Sequence, residues 1–328
     1  MGARRTKSSN LTIMRAIVTG GAGFIGSHVV DGLVERGADV LIMDDLSRGR
    51  RGNLEFALTR GARFVEVDVR DGDSVSSEFR AFRPDVVFHL AAQIDVRASV
   101  SDPVHDASIN VLGSITVFAA AHAAGATRVV NTSTGGAIYG DGALVPTAET
   151  EPTEPVSAYG VSKRAAEQYA AWFRHACGLD VITLRYGNVY GPRQDPSGDA
   201  GVIALFCDRA LSDRRPTVYG NGTQTRDYVF VADVAAANLA AADAATLPHG
   251  EYNVGTGTEI SVLQLAEAVA AAAGLAPTDF EPEFAPPRPG ELARSCLDVS
   301  RARRDLQLPR PVALTDGLRR TLDWIRDR

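Results

Sequence analysis

Short apolar runs alternate with longer alanine-rich segments over the first half of the chain. The runs are almost continuously apolar, which is typical of parallel strands that are covered on both faces. Turn-forming residues separate the runs from the longer segments, which have the length and composition of helices. We therefore predict strands at residues 15–19, 40–43, 63–67, 85–90, 128–132 and 181–185.

The segments between these runs predict helices, and the clearest of them cover residues 24–37, 104–125 and 158–176. Regular alternation of strand and helix predicts an α/β fold with a doubly wound, Rossmann-type parallel sheet. After about residue 186 the pattern becomes irregular, and Pro, Gly and Asp cluster at 190–201 and 284–291. A smaller α/β lobe is expected there, with helices near 261–273 and 313–326.

This change of pattern suggests a division into domains. Residues 14–187 are predicted to form the Rossmann domain and residues 188–328 the smaller lobe. Residues 229–258 are expected to return to the first domain. The basic segment 1–13 has no apolar core of the kind that a signal peptide needs, so we expect a disordered leader.

Composition excludes several classes of protein. The chain has 328 residues, of which 45% are hydrophobic, and this suffices for one large α/β domain or two joined lobes. A formal charge of −6 and the lack of a basic stripe argue against a nucleic-acid partner. We expect no stretch of the ~20 apolar residues that a membrane helix needs, and therefore no membrane partner. Three scattered cysteines (Cys177, Cys207 and Cys296) predict reduced thiols, no metal site and a cytoplasmic location.

The stretch TGGAGFIGSH (19–28) lies between the first predicted strand and the first predicted helix. Gly20 permits a tight turn, Gly23 lets the backbone approach a pyrophosphate, and Gly26 lets the helix pack against the strand. The amides at the helix start would then face the anion. This context predicts a dinucleotide site, whereas the alternative is a tight βα turn without a ligand.

Acidic residues after the next two strands bear on the choice of dinucleotide. Asp44 ends the second strand, where a carboxylate accepts hydrogen bonds from a ribose diol and repels a 2′-phosphate, which favours NAD over NADP. The arginines of segment 48–51 argue the other way, unless they form a solvated basic loop. Asp68 follows the third strand, where its spacing suits either a contact to the adenine amino group or a helix N-cap.

The stretch SAYGVSKRAAEQY (157–169) contains an unusual lysine. Lys7 and Lys163 are the two lysines among 34 basic residues, and Lys7 lies in the leader. Tyr159 and Lys163 are four residues apart, so they share one face of a predicted helix. A phenol with an ordinary pKa of about 10 is a poor base near neutral pH, but a nearby ammonium and a positive nicotinamide both favour the phenolate.

A tyrosine tuned in this way can take a proton from a sugar hydroxyl as hydride leaves the same carbon. Lysine is a compact charge that can bind ribose hydroxyls while lying under the tyrosine, which the planar fork of arginine cannot do. The alternative is a Tyr/Lys pair on a helix surface with no function. The scarcity of lysine and the glycine turn both favour the catalytic interpretation.

A third catalytic group is expected in VNTSTGGAIYG (130–140), which covers the end of the fifth strand. Ligands bind beyond the carboxyl ends of parallel strands. A hydroxyl of either Thr134 or Ser133 is therefore predicted to meet the substrate oxygen and assist Tyr159. The alternative is an ordinary Ser/Thr turn after a strand.

Six motifs occur in an order that resembles the extended short-chain dehydrogenase/reductase family, and within it the UDP-glucose 4-epimerases. They are TGGAGFIGSH, HLAAQIDVRASVSDP, YGVSK, NVYGPRQ, TRDYVFVADV and RPGE. The resemblance runs from about Met14 to the C-terminus and implies NAD as cofactor and a UDP-sugar as substrate. It assigns the catalytic hydroxyl to Thr134. The cofactor contacts that it implies, besides the glycines and acids above, are Phe24, Ile25, Val69, Ala91, Ala92 and Asn110.

The resemblance also implies the substrate contacts and the reaction. Asn188, Arg226 and Arg288 would bind the nucleotide sugar, and Tyr219 would pack against the uracil; two arginines facing a diphosphate also make physical sense. Tyr159 would take the proton of the 4-hydroxyl while C4 gives up hydride. The resulting 4-keto sugar would rotate and receive hydride on its other face, so that NAD ends unchanged and stays bound.

Particular residues separate this reaction from those of related enzymes. Dehydratases of the family carry an Asp-Glu pair after the hydroxyl residue, and decarboxylases carry an acid nearby, but this chain has Gly135 and Gly136 there. Gly187 stands where an aromatic residue is common. Counted from RPGE, Ser295 falls where the resemblance places a residue beside the C2 substituent of the sugar, and a serine there would leave room for an N-acetyl group. UDP-GlcNAc and UDP-GalNAc are therefore expected substrates along with UDP-glucose and UDP-galactose.

Other outcomes on the same scaffold remain open. They are a UDP-uronate 4-epimerase, a 4-keto-sugar reductase, a decarboxylase and, less favoured, a non-catalytic NAD-binding sensor. Family members pair two helices of each subunit into a four-helix interface, so the resemblance implies a homodimer through helices 104–125 and 158–176.

Overall fold

A computed structural model of the chain describes residues 13–195, 201–288 and 292–328. The predicted leader therefore lies outside the described residues, except for its last residue, Ile13. The strands are β1 (Arg15–Thr19), β2 (Asp39–Asp44), β3 (Arg63–Glu66), β4 (Val86–His89), β5 (Arg128–Thr134), β6 (Asp180–Tyr186), β7 (Asn188–Tyr190), β8 (Thr217–Tyr219), β9 (Thr225–Arg226), β10 (Tyr228–Phe230), β11 (Glu251–Val254), β12 (Ile260–Ser261) and β13 (Glu283–Ala285).

Helices follow most of these strands. The α-helices are α1 (Phe24–Glu35), α2 (Glu55–Leu58), α3 (Gly72–Phe82), α4 (Val96–Ser101), α5 (Pro103–Ala107), α6 (Ser114–Ala124), α7 (Gly135–Ile138), α8 (Ala158–Ala176), α9 (Val202–Leu211), α10 (Val231–Asp243), α11 (Val262–Ala273), α12 (Ser300–Asp305) and α13 (Leu314–Arg326). Short 3-10 helices cover Arg51–Leu54 and Pro277–Phe280, and a π-helical segment, Ser108–Gly113, joins α5 to α6.

The central sheet has seven parallel strands in the order β11-β6-β5-β4-β1-β2-β3. Apolar side chains of alternating residues, such as Val18 and Ile17 on β1, belong to separate core clusters on the two faces of the sheet. Both faces are therefore covered, which accounts for the near-continuous apolar runs in the sequence. The predicted doubly wound α/β fold is confirmed.

Chain segments from beyond β6 contribute to the same sheet. Strand β11 pairs with β6 at its edge, and α10 packs against α1. The smaller lobe has its own apolar cluster, which α9, α11 and α13 build around residues such as Phe206, Leu265 and Leu318. The short strand pairs β7–β10, β9–β12 and β8–β13 complete it.

The predicted helix 104–125 differs from the observed structure in two respects. Its middle is the π-helical segment, in which Asn110 is buried. In addition, Pro103–Ala124 as a whole is long and apolar enough to cross a membrane, by length and composition only, so the expectation that no such stretch exists is wrong. Its inner residues Val117 and Phe118 are fully buried in the core beneath the sheet.

Candidate active site

The carboxyl ends of the parallel strands open into a cavity of about 610 Å³. Residues that follow β1, β2, β4, β5 and β6 form its walls, and chain segments of the smaller lobe close it on the other side. The position matches the general rule that ligands bind beyond these strand ends. Its lining includes these residues singled out in the sequence: Gly20, Gly23, Phe24, Ile25, Gly26, Asp44, Asp68, Val69, Ala91, Ala92, Thr134, Tyr159, Lys163 and Asn188.

The glycine turn leaves no room for side chains. Gly20 has a φ of +68°, and a Cβ on it would lie 2.5 Å from the backbone nitrogen of Ala91. A Cβ on Gly26 would lie 2.1 Å from the carbonyl oxygen of Gly20. Helix α1 starts directly after Gly23, without a side-chain cap and without an acidic residue in its first turn. Its first amides thus form a positive cradle of the kind that binds a pyrophosphate.

Asp44 is held rigidly beside this turn. Its Oδ2 accepts a hydrogen bond from the backbone N–H of Ala22, and its Oδ1 accepts one from the N–H of Leu46, both at 2.9 Å. The side chain is buried, and this burial raises the pKa of its carboxyl. A carboxylate in this place is suited to a ribose diol and opposes a 2′-phosphate.

The arginines that follow Asp44 have other partners. Arg48 lies 3.6 Å from the carboxylate of Asp95. Arg50 forms an ion pair with Asp195 of the smaller lobe. The guanidinium of Arg51 stacks over the ring of Phe64, 4.9 Å from its centroid.

Asp68 does not cap a helix. Its carboxylate binds the guanidinium of Arg70, with 2.5 Å between Oδ2 and Nη2, and this contact lowers its pKa. The N-cap of α3 is Asp71, which accepts a hydrogen bond from the N–H of Ser74 at 3.1 Å. The N-cap alternative is therefore wrong, because the helix begins three residues later than that alternative requires.

The hydroxyl at the end of β5 and the helix α8 bring the catalytic candidates together. The side chain of Thr134 lies close enough to the phenol of Tyr159 to act on its pKa as a hydrogen-bond partner. Ser99 on α4 fixes the first turn of α8, because its Oγ accepts a hydrogen bond from the Tyr159 N–H at 3.0 Å. Lys163, one turn further along, is 3% exposed. Of the two hydroxyls left open by the sequence, the structure brings Thr134 to the tyrosine, whereas the buried Ser133 Oγ has no hydrogen-bond partner in the described ranges.

Burial dominates the acid–base chemistry of this pair. It raises the pKa of Tyr159 to about 12, although the hydrogen bond from Thr134 acts in the opposite direction. It also lowers the pKa of Lys163 to about 8, against the charges of Glu167 and Asp106. In the chain alone, removal of the phenolate from water therefore dominates the pKa of Tyr159. The combined effect expected from the lysine ammonium and a positive nicotinamide stays a prediction.

A buried ion pair supports α8 from below. Arg185 on β6 binds the carboxylate of Glu167 through two hydrogen bonds, at 3.0 and 2.7 Å. A third donor group of the guanidinium reaches the hydroxyl of Tyr139 at 2.9 Å. Glu167 lies one turn beyond Lys163, so this network fixes the part of the helix that carries the lysine.

Asn110 does not line the cavity, contrary to what the resemblance implies. It is buried behind the wall, where its Oδ1 accepts a hydrogen bond from the N–H of Gln93 at 2.9 Å. Its Nδ2 lies within 3.1 Å of both Asp106 Oδ1 and Ser162 Oγ. Sequence reasoning missed Gln93 and Asp106; the spacing of four residues between Asp106 and Asn110 was the available signal.

Two glycines shape the space near the catalytic hydroxyl. A Cβ on Gly135 would lie 2.6 Å from Leu297 Cδ1, so a side chain there requires a shift. A Cβ on Gly136 would lie 3.7 Å from Asn188 Oδ1, an ordinary contact. Gly187 is also constrained, because its Cβ would lie 2.8 Å from the carbonyl oxygen of Asp227. A side chain at residue 187 would therefore require the two backbone segments to move apart.

The remaining predicted substrate contacts lie outside the lining of this cavity. The guanidinium of Arg288 stacks on the ring of Tyr219, 3.9 Å from its centroid. Arg226 Nη1 donates to the carbonyl oxygens of Thr225 and Leu292, both at 2.8 Å. The backbone N–H of Ser295 donates to the Thr225 carbonyl at 3.1 Å. These residues gather in the smaller lobe; residues 289–291 of the RPGE motif are outside the described residues.

The segment after β7, from the NVYGPRQ motif, was not recognised as part of the site. Arg193 forms an ion pair with Asp31 on α1, at 2.7 Å. His28 on the same helix lies 3.0 Å from the carbonyl oxygen of Pro192, and burial lowers its pKa to about 4. The smaller lobe is thereby attached to the helix that starts at the glycine turn.

Comparisons with known proteins agree with this geometry. Residues 16–255 match the NAD dependent epimerase/dehydratase family. The UDP-glucose 4-epimerase of Mycolicibacterium smegmatis is 46% identical over 319 residues, which cover 96% of this chain and 99% of that protein.

Several solved structures have the same fold over nearly their whole length. UDP-glucose 4-epimerase from Thermotoga maritima with UDP-glucose has a TM-score of 0.90 at 42% identity, covering 96% of this chain and 99% of its own. The Thermus thermophilus UDP-glucose 4-epimerase complex with NAD has a TM-score of 0.87 at 44% identity, and the match covers 95% of this chain and 99% of that chain. A third structure is UDP-N-acetylglucosamine 4-epimerase from Methanobrevibacter ruminantium M1 in complex with UDP-N-acetylmuramic acid. It has a TM-score of 0.90 at 32% identity, and the match covers 96% of this chain and 99% of that chain.

Proposed function

The chain belongs to the NAD dependent epimerase/dehydratase family, and we propose that it inverts C4 of a UDP-hexose, interconverting UDP-glucose and UDP-galactose. The observation that carries this proposal is the arrangement of Thr134, Tyr159 and Lys163. These three residues line the same cavity as the glycine turn and Asp44. A hydroxyl-bonded tyrosine beside a dinucleotide cradle is suited to the oxidation and reduction of an alcohol carbon.

The residues present fit NAD. A side chain at Gly20 or Gly26 would fill the cradle. Because both residues are glycine, the backbone can approach a pyrophosphate closely. Asp44 would hold the adenosine ribose, and Lys163 the hydroxyls of the other ribose. NAD, when bound, supplies the acceptor and the donor of the hydride. The Thermus relative with NAD supports the same choice of cofactor.

Tyr159 is the proposed acid–base group. Burial raises its pKa to about 12 in the chain alone, whereas the Lys163 ammonium and a positive nicotinamide, when bound, would favour the phenolate that accepts the proton of the C4 hydroxyl. The Thr134 hydroxyl would donate a hydrogen bond to the phenolate and stabilise its negative charge as it forms. Loss of this proton together with the hydride of C4, which bound NAD would accept, leaves a transient 4-keto sugar. After the keto sugar has rotated in the cavity, hydride would return to the opposite face of C4 while Tyr159 returns the proton to the same oxygen, so that the configuration at C4 is inverted.

The two glycines after Thr134 favour epimerisation over elimination or decarboxylation. Gly135 packs against Leu297, so this backbone has no place for an acidic side chain unless Leu297 moves. Gly136 places only hydrogen where a Cβ would touch Asn188. A second acid–base group is thus missing where it would be needed to eliminate water, while room is available for the sugar to turn.

N-acetylated sugars are proposed as further substrates. Ser295 is a small residue at the position that the resemblance places beside the C2 substituent, and the similarity to a UDP-N-acetylglucosamine 4-epimerase supports this range. In the Ser295→Tyr variant, turnover of UDP-GlcNAc should be lost while that of UDP-glucose is kept. An equal loss of both activities would contradict the assignment of this residue.

The protein is proposed to act as a homodimer through α5, α6 and α8 with the π-helical segment. Large apolar side chains are exposed on these elements: Val104 by 79%, Leu112 by 60%, Val161 by 54% and Trp172 by 53%. Exposed apolar patches of this kind mark interaction sites. A second copy of the same face would cover them.

A turnover assay without added cofactor tests the proposal. Purified protein receives UDP-glucose or UDP-GlcNAc in separate reactions, and the C4 epimers are resolved. Epimers in both reactions are expected, since the cofactor remains bound through the cycle. Turnover of UDP-glucose alone would refute the proposal that N-acetylated sugars are substrates. Turnover of neither nucleotide sugar would refute the proposed function.

A further inference from the structure

A buried carboxylate lies next to the catalytic pair without a role in the mechanism above. Asp106 on α5 is 1% exposed. Its Oδ1 accepts hydrogen bonds from Gln93 Nε2 at 3.0 Å and from Asn110 Nδ2 at 3.1 Å. Its Oδ2 is also buried and has no hydrogen-bond partner within the described ranges. A buried carboxylate oxygen without a partner is costly, so a compensating charge is expected nearby.

The Lys163 ammonium is the cation that the neighbouring helix offers to Asp106. Helix α5 packs against α8. The Asn110 amide that binds Asp106 also reaches the Oγ of Ser162, the residue before the lysine, at 3.1 Å. Asp106 acts on Lys163 as a charge and not through a hydrogen bond. The carboxylate is thus fixed, through Asn110, to the turn of α8 that carries the lysine.

The other charged groups around Lys163 are already compensated. On α8, Glu167 is bound by Arg185 from β6. On β4, His89 is buried and its pKa falls to about 3, so it is neutral. At the start of α4, Asp95 lies within 3.6 Å of Arg48. Among these carboxylates, Asp106 is therefore the one that no cation named here neutralises, and it can act on the Lys163 ammonium.

We propose that Asp106 is the counter-charge of Lys163, a positioning residue that keeps the lysine protonated and sets the pH range in which the Tyr159–Lys163 pair operates. This inference rests on the proposed function for its kinetic readout. Its spectroscopic readout needs no substrate.

The sign of the effect follows from the charge. A negative Asp106 raises the pKa of both Lys163 and Tyr159. Its neutralisation lowers both, so both limbs of the pH profile of kcat/KM move to lower pH. A purely structural role would instead lower the rate at every pH and leave the limbs in place.

Lysine scarcity makes a direct measurement possible. Because Lys7 and Lys163 are the two lysines of the chain, labelling of the lysine Cε with ¹³C gives two resonances, which Lys7→Arg assigns. The resonances are titrated in the wild-type protein as purified and in Asp106→Asn, which keeps the shape of the side chain. The Lys163 midpoint should fall by about one pH unit in the variant, the effect of one nearby charge, while Lys7 is unchanged.

Asp102→Asn is the matched control, because Asp102 is the exposed N-cap of the same helix, where its Oδ1 accepts a hydrogen bond from the His105 N–H at 2.9 Å. It should leave the Lys163 midpoint and both limbs in place. If Asp106→Asn does not fold, Asp106→Thr serves as the second neutral variant. An unchanged Lys163 midpoint in a folded neutral variant would overturn the inference. If the wild type does not epimerise any UDP-sugar, the proposed function fails, and the titration still decides the role of Asp106.

Discussion

The side chain of Thr134 lies close enough to the phenolic hydroxyl of Tyr159 to act on it as a hydrogen-bond partner, although the two residues lie on different elements, β5 and α8. This contact lowers the pKa of a phenol that burial raises to about 12. It also connects the end of a sheet strand with the helix that carries Lys163. The proposed chemistry depends on this pair, since the hydroxyl both orients the phenol and steadies its ionised form.

Removal of the Thr134 hydroxyl should impair catalysis without unfolding the protein. Thr134→Val keeps the side-chain shape, and kcat should fall by about 100-fold because a donor to the phenolate is lost. The pKa of Tyr159 should rise further, so the acid limb of the rate profile should move to higher pH. Steady-state assays across pH measure both effects. Thr134→Ser retains the hydroxyl and should retain most activity; equal losses in the two variants would contradict this role.

Replacement of Lys163 by arginine should not be conservative. The lysine is buried and lies one turn beyond the tyrosine, where a planar guanidinium does not fit in the same space. In Lys163→Arg, kcat/KM should fall by at least about 100-fold, since small misplacements at a reacting centre have effects of this size. Kinetics and the amount of nucleotide bound per subunit measure the change. Near-normal turnover in this variant would show that a positive charge alone suffices.

Loss of one partner of the buried Arg185–Glu167 pair should destabilise the fold. Arg185→Met leaves a buried carboxylate without its main partner, which is expected to lower the free energy of unfolding by about 3–5 kcal/mol. Urea denaturation measures the change. The double variant Arg185→Met/Glu167→Met should recover much of the loss, because no uncompensated charge remains. A single variant as stable as the wild type would contradict this view of the pair.

The proposed dimer can be tested at its exposed aromatic residue. Trp172→Glu places a charge in the apolar face of α8, so it should convert the dimer into a monomer. Light scattering coupled to size-exclusion chromatography measures the mass. Phe284 on β13 is 61% exposed and lies in the smaller lobe, so Phe284→Glu is the matched control that should remain dimeric. Dissociation in the control, or a dimeric Trp172→Glu, would refute the assignment of the interface.

Features set by local pattern could be predicted from the sequence, whereas features set by distant contacts could not. Tyr159 and Lys163 were found because four residues in a helix place two side chains on one face. The π-helical segment was missed, and its Asn110 donates hydrogen bonds to Gln93 and Ser162, which are distant in sequence. The burial that raises the pKa of Tyr159 in the chain alone could not be read from spacing.

The substrate side was the less predictable part for the same reason. Arg226 and Arg288 were expected to face a diphosphate together. In the structure Arg226 donates to backbone carbonyls and Arg288 lies over Tyr219, and their joint contact to a diphosphate stays a prediction. Such contacts arise between separate loops of the smaller lobe. The sequence shows which residues those loops carry but not how the loops approach one another.

The fate of the hydrogen on C4 tests the central claim most directly. UDP-glucose that carries deuterium at C4 is incubated with the purified protein in ordinary water, and the UDP-galactose formed is examined by mass spectrometry and NMR. If Tyr159 moves the hydroxyl proton while the same hydride leaves and returns, the deuterium must be found at C4 of the product. Loss of the deuterium to water, or its retention without inversion, would contradict the account.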